Sequence, residues 1–363
     1  MEHLAIDLGG RESQICARSS DGTIVEERRV ATGSLRKLLA GRPASRVVVE
    51  TCAEAFAVAD AALALGHEVR VVRVVPASLV KSLGVGARGV KNDRSDARVL
   101  SEVSCRIDLP SVHVPSQEAR ERKTMCGMRE GLVGCATKLV NTVRGWLRGR
   151  ATRVRPGGVE TFPARVRVAV RERPAYVERL LCAIEELAQQ IAQADREIKE
   201  VAKQDAVCQR LMTVPGVGPV TSVRFVATLD EVGRFASAHE LESYLGLVPG
   251  ERSSGERKRL TSITKAGSTK MRWALVQACW VARRWRPHDP MVQWSLEVER
   301  RRGKRIAVVG LARKLAGILY AIWRDGSSYD PRRGAAQVTR ALTEPDVAPT
   351  FTPPAEAVPP ARA

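Results

Sequence analysis

Four carboxylates occupy positions from which they could bind divalent cations. Asp7 lies within a short apolar segment, and Glu50 directly follows three consecutive valines. Asp93 and Asp96 are three residues apart, a spacing that places both on one face of a helix. Carboxylates gathered in one place repel one another, and two Mg²⁺ ions would remove that repulsion and hold a phosphodiester between them. The pattern therefore predicts a two-metal site for phosphate chemistry.

Each acid also has a purely structural explanation when it is taken alone. Asp93 and Asp96 could cap a helix and complement its dipole. Asp7 could start the turn at Gly9-Gly10, and Glu50 could be a charge at the end of a strand. The chemical interpretation rests on finding all four acids in this order of elements.

The elements that would position these acids alternate between strand and helix. Strand patterns cover residues 4–8, 14–18, 23–30, 46–50 and 68–75, and helical patterns cover residues 53–65 and about 93–105. The order is three strands, helix, strand, helix, strand and helix, which is that of an RNase H-like α/β domain. The first and fourth strands of such a sheet are neighbours, so we expect Asp7 and Glu50 to converge.

The charge of the chain indicates a polyanionic partner. Among 363 residues the net charge is +19, which favours nucleic acid. Aromatic residues make up only 4%, which argues against reading single strands mainly by base stacking. One basic run between Arg120 and Arg155 is opposed locally only by Glu121 and Glu130. A solvated helix face normally mixes signs, so we favour a surface that contacts phosphates.

The residues expected to bind nucleic acid fall into two groups. The first comprises Arg120, Arg122, Lys123, Arg129, Lys138, Arg144, Arg148 and Arg150, with Arg153 and Arg155 beyond them. The second comprises Arg257, Lys258, Arg259, Lys265, Lys270 and Arg272.

A heptad pattern over residues 174–203 predicts one long helix. Its apolar positions are Val177, Leu180, Ile184, Leu187, Ile191, Ala194, Ile198 and Val201. We favour a coiled coil that pairs two subunits. An antiparallel helical hairpin within one chain is the alternative.

The C-terminal part is helical and basic from Leu211 to about Arg324. It opens with a turn, Val214–Pro219, which could bind phosphate at a helix start or could simply join two helices. The apolar stretch Ile306–Trp323 is interrupted by Arg313 and Lys314, so we expect no spanning helix and no membrane partner. Eight cysteines without a CxxC pair predict buried, reduced thiols in a cytoplasmic protein.

The combined motifs resemble a known group, the RNA-guided insertion-sequence transposases of the "insertion sequence one-ten" family of DEDD recombinases. The metal-site motifs are Ala5-Ile6-Asp7, Val49-Glu50-Thr51 and the Lys-x-Asp-x-x-Asp-Ala segment at 91–97. The C-terminal motifs are Pro215–Gly218, Gly246–Pro249, Ser253–Gly255, Thr264–Gly267 and Met271-Arg272. The resemblance covers roughly residues 3–325, with Gly9-Gly10 as a departure.

The resemblance implies a mechanism and a set of partners. Ser254 would attack a DNA phosphodiester and hold the strand as a phosphoserine, with Ser253 as the alternative position. A structured bridge RNA would pair with donor and target DNA. The cofactor would be Mg²⁺, for which Mn²⁺ could substitute, and homodimers formed through the coiled coil would assemble into a tetramer.

The expected fold is an α/β RNase H-like (RuvC-like) N-terminal domain, a long coiled-coil helix region and a mainly α-helical C-terminal transposase domain. The expected boundaries are 1–110 for the catalytic domain, 111–205 for the basic helices and coiled coil, 206–330 for the transposase domain, and 331–363 for a disordered Pro/Ala-rich tail.

Three other functions are compatible with parts of the sequence. A sugar kinase or actin-like ATPase can begin Asp-Leu-Gly-Gly, but no second phosphate loop or adenosine motif is found. A Holliday-junction-type resolvase could use the same four acids without a covalent intermediate. A catalytically inactive nucleic-acid-binding protein would retain only the basic surface.

Overall fold

The computed structural model of the chain describes residues 1–72, 93–252 and 260–332. The chain divides into two compact units, Met1–Ser116 and Gln117–Ala363. The first unit ends close to the expected boundary at residue 110. The expected middle and C-terminal domains belong together in the second unit, and the expected tail lies almost wholly outside the described residues.

The first unit is built on a five-stranded mixed sheet. Its strands are β1 (His3–Asp7), β2 (Glu12–Arg18), β3 (Ile24–Ala31), β4 (Arg46–Glu50) and β5 (Glu68–Val72). Their order across the sheet is β3-β2-β1-β4-β5. The pairs β1–β2 and β2–β3 are antiparallel, whereas β1–β4 and β4–β5 are parallel. The expected alternation of strands and helices is confirmed, while the RNase H-like assignment stays a prediction.

Helices cover both faces of this sheet. They are α1 (Leu35–Ala40), after a 3₁₀ turn at Thr32–Ser34, α2 (Ala55–Ala64) and α3 (Asp93–Arg106). Leu4 and Ile6 of β1 belong to the core that contains α1 and α2, whereas Ala5 packs with Leu100 and Val103 of α3. The central strands β1 and β4 are buried on both sides, which explains their continuous apolar runs.

The second unit begins with two long helices that form an antiparallel hairpin. They are α4 (Gln117–Arg148) and α6 (Ala175–Gln204), with the short α5 (Phe162–Ala169) between them. The direction follows from two ion pairs, because Arg122 contacts Asp205 and Arg129 contacts Asp195. Val177, Leu181 and Ile184 are buried against α4 and α5. The helical hairpin, the alternative considered for the heptad seam, therefore accounts for its burial, and subunit pairing stays a prediction.

The rest of the second unit surrounds one large helical core. It comprises α7 (Ala206–Leu211), α8 (Pro219–Leu229), a 3₁₀ turn (Val232–Arg234), α9 (Ala238–Tyr244), β6 (Pro249–Glu251), β7 (Leu260–Ile263), α10 (Thr269–Trp285), α11 (Pro290–Arg302) and α12 (Lys304–Asp325). The buried Tyr320 hydroxyl donates to the Phe235 carbonyl at 2.7 Å and ties α12 to this core.

Helix α12 is apolar and long enough to cross a membrane, the one such helix in the described part of the chain. Half of its most apolar window is buried inside the second unit. Leu311, Leu315 and Leu319 are each fully buried in the same core. The helix is therefore accounted for as a core element of this unit.

The cysteines only partly follow the sequence prediction. All eight are free thiols, but only Cys16, Cys126, Cys208 and Cys279 are buried. Cys52, Cys135 and Cys182 are exposed, so the expectation of buried thiols is wrong for them. Burial raises the pKa of Cys208 to about 12. Such a thiol stays protonated at neutral pH and is a poor nucleophile or metal ligand.

Candidate active site and nucleic-acid surface

Asp7 and Glu50 lie side by side at the carboxyl ends of two parallel strands. Ala5 pairs with Val48 and Ile6 with Val49, so Asp7 and Glu50 are the next positions along β1 and β4. Neighbouring strands are about 4.8 Å apart, and residues in register point to the same face. Both acids are partly exposed, whereas the residues before them are buried. The fold thus brings these two predicted ligands together at the edge of a closed core.

Helix α3 covers the face to which both acids point. Ser104, near its end, lies 2.8 Å from His3 at the start of β1, measured from Oγ to Nδ1. One turn earlier, Ser101 hydrogen-bonds to Cys16 at 3.2 Å, and Cys16 pairs with Ala5 in the middle of β1. From Ser104 towards its N-terminus, α3 therefore runs along β1 in the direction of Asp7.

The lengths of the two elements match. Ser104 to Asp96 corresponds to about 12 Å of helix, and His3 to Asp7 to about 13 Å of strand. The first turn of α3 thus reaches the level of Asp7, and the partly buried Asp96 lies on that turn. The side chain of Asp93 lies outside the described residues, although its backbone begins α3.

The described side chains do not by themselves complete a metal cluster. Within 1–72, 93–252 and 260–332, no three Asp, Glu, His or Cys side chains gather closely enough to hold a metal ion. Asp7 and Glu50 end adjacent strands, and Asp96 lies on the first turn of α3. These carboxylates are the hard oxygen donors that Mg²⁺ prefers.

The loop after Asp7 is fixed by hydroxyl groups and by a glycine. Thr32 Oγ1 donates to the Gly9 carbonyl at 2.6 Å and lies 2.8 Å from Ser13 Oγ. A Cβ on Gly9 would overlap the Glu12 carbonyl oxygen, so a larger residue would force the loop to move. Of the two glycines that depart from the expected motif, Gly9 is therefore explained by its close packing against the Glu12 carbonyl.

A cleft of about 240 Å³ opens beside Asp7. Its lining includes Glu12, Gln14 and Arg29, none of which is among the predicted site residues. Gln14 pairs with Asp7 and Arg29 pairs with Gln14, so the three side chains form a row across β1, β2 and β3. Strand alternation could have found them, because Glu12 and Gln14 share one face of β2.

The predicted nucleophile Ser254, its neighbour Ser253, and Arg257, Lys258 and Arg259 lie outside the described residues. The strands β6 and β7 flank this segment, and their pairing brings Glu251 opposite Leu260. The described residues on either side of this segment therefore lie next to each other.

Two glycine motifs hold the base of that hairpin. A Cβ on Gly246 would come within 2.5 Å of the Ala266 nitrogen, so the two backbones touch. The Lys265 amide donates to the Gly246 carbonyl at 3.0 Å. Lys265 itself is exposed and has a positive φ of 57°. The motifs around 246–249 and 264–267 therefore form one packed frame.

Arg272 has a role in the structure that differs from the predicted one. It is only 9% exposed. Its Nη1 donates to the Leu245 carbonyl at 3.0 Å and to the Gly267 carbonyl at 2.7 Å. A guanidinium used in this way holds the hairpin frame together and does not face nucleic acid.

The turn at Val214–Pro219 packs closely on α10. Gly216 has a φ of 83°, and a Cβ there would overlap the Ala278 carbonyl oxygen. Packing between helices alone therefore explains this glycine, and phosphate binding at the turn stays a prediction.

The basic residues of α4 separate into two classes. The exposed ones are Lys123, Lys138, Arg144 and Arg148, with Arg150 just beyond the helix, whereas Arg120 is partly buried. Arg122 contacts Asp205 at 2.7 Å and Glu118 at 2.6 Å, and Arg129 contacts Asp195. Arg122 and Arg129 thus join α4 to α6, which corrects their assignment to the nucleic-acid surface.

Glu130 on α4 links two further cations, Arg224 on α8 and the predicted contact residue Lys270 on α10. Its carboxylate contacts Arg224 at 2.7 Å and Lys270 at 3.0 Å. Arg224 is buried, whereas the side chain of Lys270 remains 63% exposed. Lys270 therefore remains accessible to a polyanion.

Comparison with known proteins identifies the family. A model for DEDD transposases of the IS110 type, described as "Transposase", matches residues 4–150. A second, described as "Transposase IS116/IS110/IS902 family", matches residues 208–291. The first match contains Asp7, Glu50, Asp93 and Asp96, and the second contains the hairpin that flanks Ser254. The chain belongs to the IS110/IS116/IS902 transposase family.

Full-length relatives agree with this assignment. The chain is similar to a transposase for insertion sequence element IS1111A from Coxiella burnetii, with 26% identity over 90% of each chain. It is 28% identical to a probable family 20 transposase from Pseudomonas aeruginosa, over 91% of this chain and 99% of the relative. It is 26% identical to a transposase for IS1328 from Yersinia enterocolitica, over 90% and 98%. As a member of this transposase family, the chain is a DNA recombinase enzyme.

Proposed function

We propose that this transposase excises and inserts its mobile element by metal-dependent DNA strand cleavage and exchange through a phosphoserine on Ser254, guided by a structured RNA. The observation that carries the catalytic part is the placement of Asp7 beside Glu50 at the ends of adjacent parallel strands. Helix α3, whose first turn carries Asp93 and Asp96, packs on the face of the sheet to which Asp7 and Glu50 point, and this supports the proposal.

Asp7 and Glu50 would hold the divalent ions together with Asp96 and Asp93. When bound, two Mg²⁺ or Mn²⁺ ions would neutralise the charge of a scissile phosphate and stabilise the oxygen that leaves it. The chain's own contribution is to fix the carboxylates. Asp7 and Glu50 gain their rigidity from the buried strands below them, and the Gly9 loop is tied by Thr32 and Ser13.

Ser254 would supply the covalent step. Its Oγ attacks the phosphorus of a DNA phosphodiester, loses its proton, and displaces the oxygen of the neighbouring nucleotide, which leaves as a hydroxyl. In the reverse direction, a hydroxyl of another strand attacks the phosphoserine and releases Ser254. The total number of phosphoester bonds is unchanged, so strands can be exchanged without an outside energy source.

The exposed cations on and beside α4 would contact the backbone of DNA and of a guide RNA. Base pairing by that RNA would then choose donor and target sequences. Pairing of subunits along α6 and assembly into a tetramer belong to the same proposal. In this view the enzyme is cytoplasmic and works on the nucleoid.

The test is a cleavage assay on DNA that carries the ends of the element, with protein expressed beside its native flanking DNA. Asp7→Asn should abolish strand cleavage and leave DNA binding largely intact. Asp60→Asn is the matched control, because Asp60 is an exposed acid on α2, which covers the opposite face of the sheet. Full cleavage by Asp7→Asn would contradict the proposal.

Two further observations separate the proposal from a resolvase. Ser254→Ala should prevent formation of a covalent protein–DNA adduct, whereas Ser253→Ala should not. One abundant structured RNA from the element's non-coding end should co-purify with the protein. Metal-dependent cleavage without any adduct, together with only random cellular RNA, would favour a nuclease of the resolvase type.

A further inference from the structure

We propose that Arg29 binds a phosphate of the nucleic-acid strand whose cleavage site lies at Asp7 and Glu50, and so positions that strand. The inference rests on the proposed function and adds to it a residue outside the four acids. Arg29 would act as a positioning residue on a neighbouring phosphate and would not touch the reacting atoms.

The sheet register places Arg29 at a useful distance from the acids. Asp7 pairs with Gln14, and Gln14 pairs with Arg29 on the next strand. Because strands are about 4.8 Å apart, the two backbones are about 10 Å apart. Residues paired in register share a face, so Arg29 and Asp7 point to the same side and line the same cleft. The guanidinium can therefore reach a group that lies between them.

Arg29 is the one cation among the described residues that line this cleft. Arg29 forms an ion pair with Glu12, with 3.8 Å between Nη1 and Oε2. Both side chains are largely exposed, at 61% and 63%, so this ion pair contributes little and can be exchanged for a better one. Other arginines on this face form ion pairs that join α3 to the sheet. Arg18 on β2 contacts Glu102 on α3, and Arg98 on α3 contacts Glu27 on β3.

The chemistry of the cleft requires such a cation. Asp7, Glu50 and Glu12 all repel a polyanionic strand at its approach. Divalent ions would offset the charge at Asp7 and Glu50, but a phosphate one step along the strand would still face Glu12. A guanidinium offers two parallel N–H donors to phosphate oxygens, a geometry that an ammonium group cannot match. Arg29 would thus bind a phosphate at one side of the cleft, while Asp7 at the other side would hold a divalent ion.

Arg28 provides a matched control on the same strand. It is exposed, like Arg29, but it pairs with Ile15 and therefore points to the opposite face of the sheet. There it contacts Glu26. Replacing either arginine removes one positive charge from β3, and only one of the two changes alters the cleft.

The experiment compares Arg29→Gln with Arg28→Gln in the full chain. Binding of a duplex carrying the element's end is measured by fluorescence anisotropy between about 50 and 200 mM salt, a range over which phosphate contacts make affinity strongly salt-dependent. Ca²⁺ replaces Mg²⁺ in this assay to prevent cleavage. Arg29→Gln should weaken binding about tenfold and make the log–log salt slope shallower by about 0.9, the value for one lost phosphate contact. Arg28→Gln should leave the slope unchanged.

A conservative variant and the cleavage assay complete the test. Arg29→Lys should keep the salt slope, because the charge remains, but should lower the cleavage rate, because the paired donors are lost. Equal slopes and equal cleavage for the Arg29 and Arg28 variants would overturn the inference. Failure of the proposed function is a different result, since Asp7→Asn would then cleave normally while the binding difference between the two arginines could still be read.

Discussion

Replacing Arg272 distinguishes a structural arginine from one that binds DNA. Arg272→Met keeps most of the side-chain volume and removes the two hydrogen bonds to the Leu245 and Gly267 carbonyls. Each bond from a charged donor contributes about 1.5–3 kcal/mol, so the loss of both should lower the free energy of unfolding by about 3–6 kcal/mol. For a unit of this size, each kcal/mol lowers Tm by about 2–4 °C. The expected decrease in Tm is therefore about 6–24 °C.

The assay is thermal unfolding followed by circular dichroism, combined with DNA binding at several salt concentrations. Lys270→Met is the control, because Lys270 lies on the same helix and its side chain is 63% exposed. Loss of its exposed ion pair with Glu130 should change the free energy of unfolding by at most about 1 kcal/mol. Loss of its charge should make the salt slope shallower by about 0.9. A stable Arg272→Met protein with a shallower slope would refute the structural role and restore the sequence prediction.

Three further predictions follow from the described contacts. Arg148→Ala should weaken DNA binding and make the salt slope, measured by anisotropy, shallower by about 0.9. Arg122→Ala should instead mainly lower Tm, because the partners of Arg122 are Asp205 and Glu118. The reverse pattern would contradict the division of the α4 cations into two classes. Gly9→Ala should slow cleavage while hardly changing binding at α4, since a Cβ meets the Glu12 carbonyl; an unchanged rate would refute a rigid loop. At pH 8 a thiol reagent should label the exposed Cys135 quickly and Cys208, whose pKa burial raises to about 12, only after unfolding; rapid labelling of Cys208 in the folded protein would argue against the core as described.

The sequence was sufficient for the features that depend on local pattern. Asp7 and Glu50 each end a short apolar run, and such runs form central parallel strands. Their side-by-side placement then follows from the order of the elements, and the register agrees. The long helix at 174–203 was likewise visible in its period, because apolar residues recur every three or four positions.

The features that depend on distant partners could not be predicted in this way. Periodicity shows which face of α6 is buried but not which helix covers it, and α4 of the same chain packs there. The run of basic residues on α4 has few acids near it in sequence, because its partners Asp195 and Asp205 lie far along the chain. Arg272 resembles any surface arginine until its two carbonyl acceptors are known.

The most direct test of the central claim is to trap the covalent intermediate. Protein and end-carrying DNA would be incubated with Mg²⁺, denatured, digested, and examined by mass spectrometry for a peptide joined to a nucleotide. We expect a nucleotide on Ser254 that is present with the unaltered protein and absent with Asp7→Asn. Cleaved DNA without any modified serine, or an adduct that forms equally well with Asp7→Asn, would contradict the account.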